Sequence, residues 1–237
     1  MILNRLIYIG CLIFSLLAHS NGSLPDKLIF AVQPHDALRY ANDQLNDNVV
    51  VKLSNALNIP IEIYECPWVR CMQAIKSGEA DIIDDLFYSQ QRSTFLHFLQ
   101  PSFNMQLAGF RFYADNSQTP VITRWEDLAN LRIGMLRGYE HFPEFNEASH
   151  LQKLDFLSID TVSKMILKGR IDTFIAPPSF NEKNFENIDV DRRITQQPLL
   201  NKQPMPLFLG LSKSSNWFEH RKILEETLQQ VIGKPVS

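Results

Sequence analysis

The stretch that decides the fold runs from Tyr64 to Arg92, YECPWVRCMQAIKSGEADIIDDLFYSQQR. Pro67 suits the first position of a helix, because the N–H it lacks would have no helical partner there. Trp68, Val69, Cys71, Met72 and Ile75 follow at three-to-four spacing, which predicts one apolar helical face. Gly78 supplies the stop, since a residue without Cβ takes the left-handed conformation at a helix end without a clash. Ala80 to Ile83 then reads as a short buried strand, with Asp84 to Arg92 emerging as a polar loop from its C-terminal edge. In open α/β sheets that edge is where ligands sit. Arg92 is therefore the expected anchor for the negative group of a small ligand, because a guanidinium is a planar fork of donors matched to a carboxylate.

Working outward, Leu28 to Val32 is a compact apolar strand. Val49, Val50, Leu53, Ala56 and Leu57 make a helical face with Asn46 or Asp47 as its cap. Ile59, Ile61 and Ile63 alternate as a strand does. Strand, helix, strand, helix, strand over 28–83 gives two successive βαβ units and a mainly parallel sheet. Downstream, Thr123 to Glu126 fits a capping box. Strand Arg132 to Leu136 follows, then a tight turn Arg137-Gly138-Tyr139 into a helix beginning near Glu140. A helix from Asp160 to Lys168 closed by Gly169 precedes an apolar strand from Ile171 to Ala176. Pro206 to Ser212 reads as a returning strand, and Asn216 as the cap of a last helix with Ile223, Leu224, Leu228 and Val231 inward. The segments AIKSGEADII (74–83) and MILKGRIDTF (165–174) align Gly78 with Gly169 and Asp81 with Asp172, an internal echo that fits two lobes of similar design.

Composition narrows the function classes. The chain has 237 residues, 45% hydrophobic and 21% charged, with a net charge of −3, which lacks the basic excess of a nucleic-acid surface. Residues 1–22 read as a signal peptide: Asn4-Arg5 is a short positive start, Leu6 to Ala18 an apolar run, and Ala18-His19-Ser20 a small-residue cleavage region. After them no apolar run is long enough to span a membrane, so the expected protein is exported and cleaved. An uncleaved N-terminal anchor is the other reading of that run. Cys66 and Cys71 then remain in an oxidising compartment, either as a disulfide or as two buried thiols. No nucleophile elbow, P-loop, dinucleotide fingerprint or His-x-x-x-His motif occurs, so no cofactor or metal is expected. His97, His141, His150 and His220 are scattered singly and read as surface or helix-cap residues.

GEAD (78–81), DLFYSQQR (85–92) and the pair Pro101 and Phe103 together resemble family 3 of the bacterial solute-binding proteins, the polar amino-acid receptors of ABC transport, over roughly residues 27–232. That resemblance implies an α/β, two-lobe periplasmic-binding-protein fold of type II, with mainly parallel sheets flanked by helices. It also implies two interlobe crossings, near 112–118 and 202–207. The chain would divide into the signal peptide 1–22, the first part of lobe one over 23–113, lobe two over 114–204, and a return to lobe one over 205–237. The family's T-x-E-R loop stands here as Ser89-Gln90-Gln91-Arg92, so the carboxylate-binding arginine matches and the glutamate does not. The turn at Gly138 would present N–H groups to the ligand. Tyr139 and Glu140 stand where the family has a hydroxyl, and Pro177 stands where it has the aspartate that takes the ligand ammonium. Asp84, Asp85 or Glu140 would then take the ammonium, or the ligand is not a standard α-amino acid.

Trp68, Phe87, Tyr88 and Tyr139 are the aromatic candidates for the cleft wall, and Ser89 belongs to the ligand loop. His35 is either a ligand contact or a solvated loop histidine. The expected protein is a monomeric, non-enzymatic receptor that closes on a small polar, carboxylate-bearing solute for an ABC permease or a membrane sensor. Two other classes stay open on the same scaffold. One is a ligand-insensitive interaction or sensor-input protein, and the other a dehydratase-like enzyme with Asp85 and Glu140 as its acid/base pair.

Overall fold

The computed structural model describes residues 23–34, 47–176, 180, 185, 188–189 and 191–233. The expectations for the signal peptide, for His35 and for Pro177 lie outside the described residues. Eleven strands in the described residues form two sheets. The first contains β1 (Leu28–Val32), β2 (Ile61–Glu65), β3 (Ile82–Leu86), β4 (Leu96–Phe98), β5 (Asn104–Gln106) and β11 (Met205–Ser212), in the order β2-β1-β3-β11-β4 with β5 also on β11. The second contains β6 (Phe110–Asp115), β7 (Arg132–Leu136), β8 (Gln152–Phe156), β9 (Thr173–Ala176) and β10 (Ile194–Asn201), in the order β10-β6-β9-β7-β8.

Each sheet has a parallel core completed by antiparallel strands, so the sheets are mixed rather than mainly parallel. The cores are β2-β1-β3 and β8-β7-β9. Antiparallel β11 lies beside β3, and antiparallel β6 lies beside β9. The chain passes from the first sheet to the second at 107–109 and returns at 202–204. The first passage falls upstream of the expected 112–118, so β6 belongs to the second sheet and the boundary set at 113 is corrected. Between β5 and β6 the chain breaks at Leu107-Ala108-Gly109, and Gly109 is where a Cβ would collide with the carbonyl oxygen of Asn201.

Both faces of the first sheet are covered, which is why its central strands read as continuous apolar runs. Leu28, Phe30, Val32, Ile82, Leu209 and Leu211 face α1 (Val49–Leu57) and α5 (Arg221–Ile232), packing with Val50, Leu53, Leu224 and Leu228. Ala31, Ile83 and Phe208 point the other way, against Cys71, Ala74 and Ile75 of α2 (Trp68–Ser77). Several sequence boundaries shift by a residue or two. Asn48, not Asn46 or Asp47, caps α1 by accepting the Val50 N–H, and Ala56 is exposed. Val69 is 44% exposed, so the buried stripe of α2 is Cys71, Ala74 and Ile75. Asp127, not Glu126, supplies the carboxylate that accepts the N–H groups of Thr123 and Arg124. Ser215 caps a short 3-10 turn, Asn216–His220, which leads into α5. Ile223 on α5 is partly exposed at 37%.

The sequence echo has a structural counterpart. Asp81 Oδ2 accepts the N–H of Ile29 at 2.7 Å, and the Asp81 N–H donates to Ile29 O at 2.8 Å. Asp172 makes the same two bonds with Arg132, at 2.7 and 2.9 Å. In each sheet the aspartate after the helix-ending glycine ties the start of the incoming strand to the start of its parallel neighbour, β1 in the first sheet and β7 in the second. Gly78, after α2, and Gly169, after α4 (Ile159–Leu167), both have positive φ, 82° and 61°. The repeated glycine and aspartate are therefore structural, and the ligand-edge residues lie at the opposite ends of these strands.

Candidate functional site

Beyond β3 the polar run Ser89 to Thr94 folds on its own hydroxyls. Ser89 Oγ accepts the Arg92 N–H, Ser93 Oγ donates to Gln90 O, and Thr94 Oγ1 donates to Gln91 O. These local bonds hold a 3-10 turn, Arg92–Thr94, and turn the Arg92 side chain inward, where the residue is 5% exposed. Ser89 is thus a turn residue. The second side of the site comes from the end of β7, where Gly138 (φ 78°) turns the chain and the Tyr139 N–H donates to Leu136 O.

The two sides meet at one atom. Gly138 O accepts from Arg92 Nη2 and from Trp68 Nε1, each at 2.8 Å, so both lone pairs are in use. The Arg92 guanidinium lies 5.5 Å from the Trp68 ring centroid, and the Trp68 and Tyr139 rings are 5.0 Å apart. Tyr139 Oη donates to Gln33 Oε1 at the end of β1. Glu140 Oε1 stands 3.8 Å from Arg92 Nε, and Asn146 Nδ2 steadies its other oxygen at 3.0 Å. The turn therefore offers the arginine a carbonyl and a carboxylate.

Burial pulls the Arg92 pKa below the usual arginine value, and Glu140 opposes that shift. The side chain stays charged, because a guanidinium does not lose its proton in proteins. Among the described residues the guanidinium makes a single hydrogen bond. Nε and Nη1 donate to no described residue.

Of the sequence candidates, Arg92, Trp68, Gly138, Tyr139 and Glu140 come together, and Ser89 reaches them through the Arg92 backbone. Tyr88 is 56% exposed; its hydroxyl donates to Gln90 and its ring packs on Phe98. Phe87 packs on Phe110, adding a first-sheet residue to the core of the second sheet. Asp84 and Asp85 remain inside β3, which extends to Leu86 instead of ending at Ile83. Between the pairs Ile83–Gly210 and Leu86–Phe208 they oppose the single residue Leu209, a β-bulge, and Asp85 has φ 55°. Together with Asn48, Lys52, Phe103 and Ile232 they line a separate groove of ≈ 530 Å³.

The helix expected near Glu140 starts later, as α3 (Pro143–Glu147), because Phe142 before a proline is held extended. Pro143 at N1 was the available signal. His141 is also corrected: it is 3% exposed, packed between Phe110 and Phe145, and its pKa is pulled down to about 3, chiefly by burial. Gln33, His141 and Asn146 carried no sequence signal for the site, since each acts through the partner that folding places beside it. Cys66 and Cys71 are disulfide-bonded, with Cα atoms 5.2 Å apart, and tie the end of β2 to the first turn of α2, beside Trp68.

No family model and no curated protein matches the sequence. Solved structures do match the fold. A histidine kinase sensor domain with similarity to periplasmic binding proteins aligns with TM-score 0.63 and 13% identity over 86% of this chain and 90% of that one. A Salmonella typhimurium periplasmic binding protein of high arginine specificity aligns with TM-score 0.64 and 11% identity, over 89% and 95%. An ancestral amino-acid-binding precursor of cyclohexadienyl dehydratase aligns with TM-score 0.58 and 16% identity, over 86% and 88%. The fold is thus that of the two-lobe periplasmic binding proteins.

Proposed function

We propose that this chain is a periplasmic solute receptor, exported by way of residues 1–22, whose two lobes close on a small polar, carboxylate-bearing solute at Arg92. The closed form would be read by an ABC permease or a membrane sensor. The observation that carries this reading is Arg92 itself: a buried guanidinium at the seam of the two sheets, with a single hydrogen bond among the described residues. Burying a charge is costly unless it is paired, so a permanently closed structural seam would favour a fully bonded group or an apolar one. Trp68 and Tyr139 supply an aromatic wall beside it.

The test is a thermal-shift screen of the mature protein against amino acids, polyamines and small organic acids. A solute at a hundredfold its Kd stabilises the folded state by about 2.7 kcal/mol, which for a chain of this size is roughly 5–10 °C in Tm. Arg92→Gln should remove that shift. A hit that survives Arg92→Gln unchanged would overturn the assignment of Arg92, and turnover of the bound compound would favour the dehydratase-like reading. A second reading, a ligand-insensitive sensor-input domain, draws on the fact that Gly138 O and Glu140 already engage Arg92. Silence across the whole panel would favour it.

A further inference from the structure

Glu140 sits beside Arg92 in a specific way. Its Oε2 is held by Asn146 Nδ2, and Asn146 is itself fixed: Nδ2 also donates to His141 O, Oδ1 accepts the His141 N–H, and the Asn146 carbonyl accepts from Lys153 Nζ. The carboxylate is thereby aimed at Arg92 Nε from the far side of the seam, with its side chain 20% exposed against 6% for Arg92. The remaining wall of the cluster is neutral: Gly138 O, the Trp68 indole, the Tyr139 ring and phenol, and the Gln33 amide. Glu140 is the carboxylate paired with Arg92 among the described residues.

We infer that Glu140 is an internal stand-in for the solute's anionic group, which holds the solute-free chain closed at Arg92 and must swing away for a solute to bind. The inference rests on the receptor reading for its second half, since the solute is what displaces Glu140. Two carboxylates cannot share one partly buried guanidinium without repelling each other across a few ångströms of poorly screening protein. Binding is therefore an exchange of one anion for another, and affinity is set by the difference between them. The 3.8 Å separation from Nε makes Glu140 a weak occupant, held in place by Asn146 and displaceable by a carboxylate that reaches Nε and Nη1 directly. The seam needs only to part at the Gly138 turn for that exchange, because the turn carries both the carbonyl and the carboxylate.

Sodium acetate is the probe, titrated at constant ionic strength into the full mature chain and read by Trp68 fluorescence, with Trp125 and Trp217 changed to Phe in every protein compared. The expected result is that Glu140→Gln, which keeps the shape and removes the charge, responds at an acetate concentration at least tenfold lower than its parent. Asn146→Ala, which keeps the charge but frees it, should fall between the two. Arg92→Gln combined with Glu140→Gln should not respond. Equal acetate midpoints for the parent, Glu140→Gln and Asn146→Ala would overturn the inference, as would a response that persists without Arg92. Because acetate reports on Arg92 directly, the inference can fail while a panel solute still binds, and the receptor reading can fail while Glu140 still competes with acetate.

Discussion

Replacing Asp81 with alanine is the sharpest test of how the first sheet is held. Asp81 is 8% exposed and divides its oxygens between two donors, the Ile29 N–H on Oδ2 at 2.7 Å and the Ser215 hydroxyl on Oδ1 at 2.5 Å. Ser215 Oγ in turn accepts the Trp217 N–H, so the same carboxylate supports the turn that docks the fully buried Trp217. A hydrogen bond to a charged group is worth about 1.5–3 kcal/mol, and a buried donor left without an acceptor costs about 1–3 kcal/mol. These costs overlap, because the same N–H enters both, so the expected loss is about 3–4 kcal/mol in all. At about 2–4 °C per kcal/mol the Tm should fall by roughly 6–15 °C in a calorimetric or circular-dichroism melt. Asp172→Ala removes the equivalent residue of the second sheet, but that carboxylate is 23% exposed and its partner Arg132 is 41% exposed. Water takes over there, and the loss should be nearer about 1 kcal/mol. Asp81→Asn should fall between, since its amide oxygen can still accept from Ile29. An Asp172→Ala loss equal to or larger than that of Asp81→Ala would refute the reasoning, as would an Asp81→Ala melt within about 3 °C of wild type.

Four further outcomes are expected. Gly138→Ala places a Cβ at positive φ and 3.4 Å from the Trp68 indole, a backbone cost of about 1–2 kcal/mol, and should shift Trp68 emission as well as lower the Tm. Reducing Cys66–Cys71 frees a short loop whose closure is worth about 2 kcal/mol on chain-entropy grounds, so dithiothreitol should lower the Tm by about 4–8 °C and leave a Cys66→Ser, Cys71→Ser protein unaffected. His141 titrates near 3 in the fold but near about 6.5 when unfolded; the unfolded chain takes up the proton first, so stability is lost as pH falls from about 6.5 toward 3. Urea titrations of His141→Phe across that range should show a shallower acid limb than wild type. Asp172, whose pKa is held below the usual carboxylate value first by the Arg132 hydrogen bond, contributes stability that is present above its unfolded pKa near about 4 and lost below it; Asp172→Asn should reduce the pH dependence of the Tm in that acid range.

Periodicity and punctuation determined the elements by themselves. The apolar run Leu28–Val32 and the glycine stops at Gly78 and Gly169 each act within one turn or one strand, so their effect is written locally. The helix expected near Glu140 starts instead at Pro143, and Asp84-Asp85 reads as a loop because a β-bulge is invisible until the opposing strand is known. The position of Arg92 past the end of a buried strand was also legible.

Tertiary structure alone decided what Arg92 meets. Gly138 lies 46 residues away in sequence from Arg92, and its carbonyl reaches the guanidinium only when two separately formed sheets bring their strand ends together. Which strands pair antiparallel, where the chain crosses at 107–109, and that His141 is buried beside an arginine all follow from that docking. Residue types and spacings set the local backbone, but they do not encode distances between segments that touch only once the whole chain has closed.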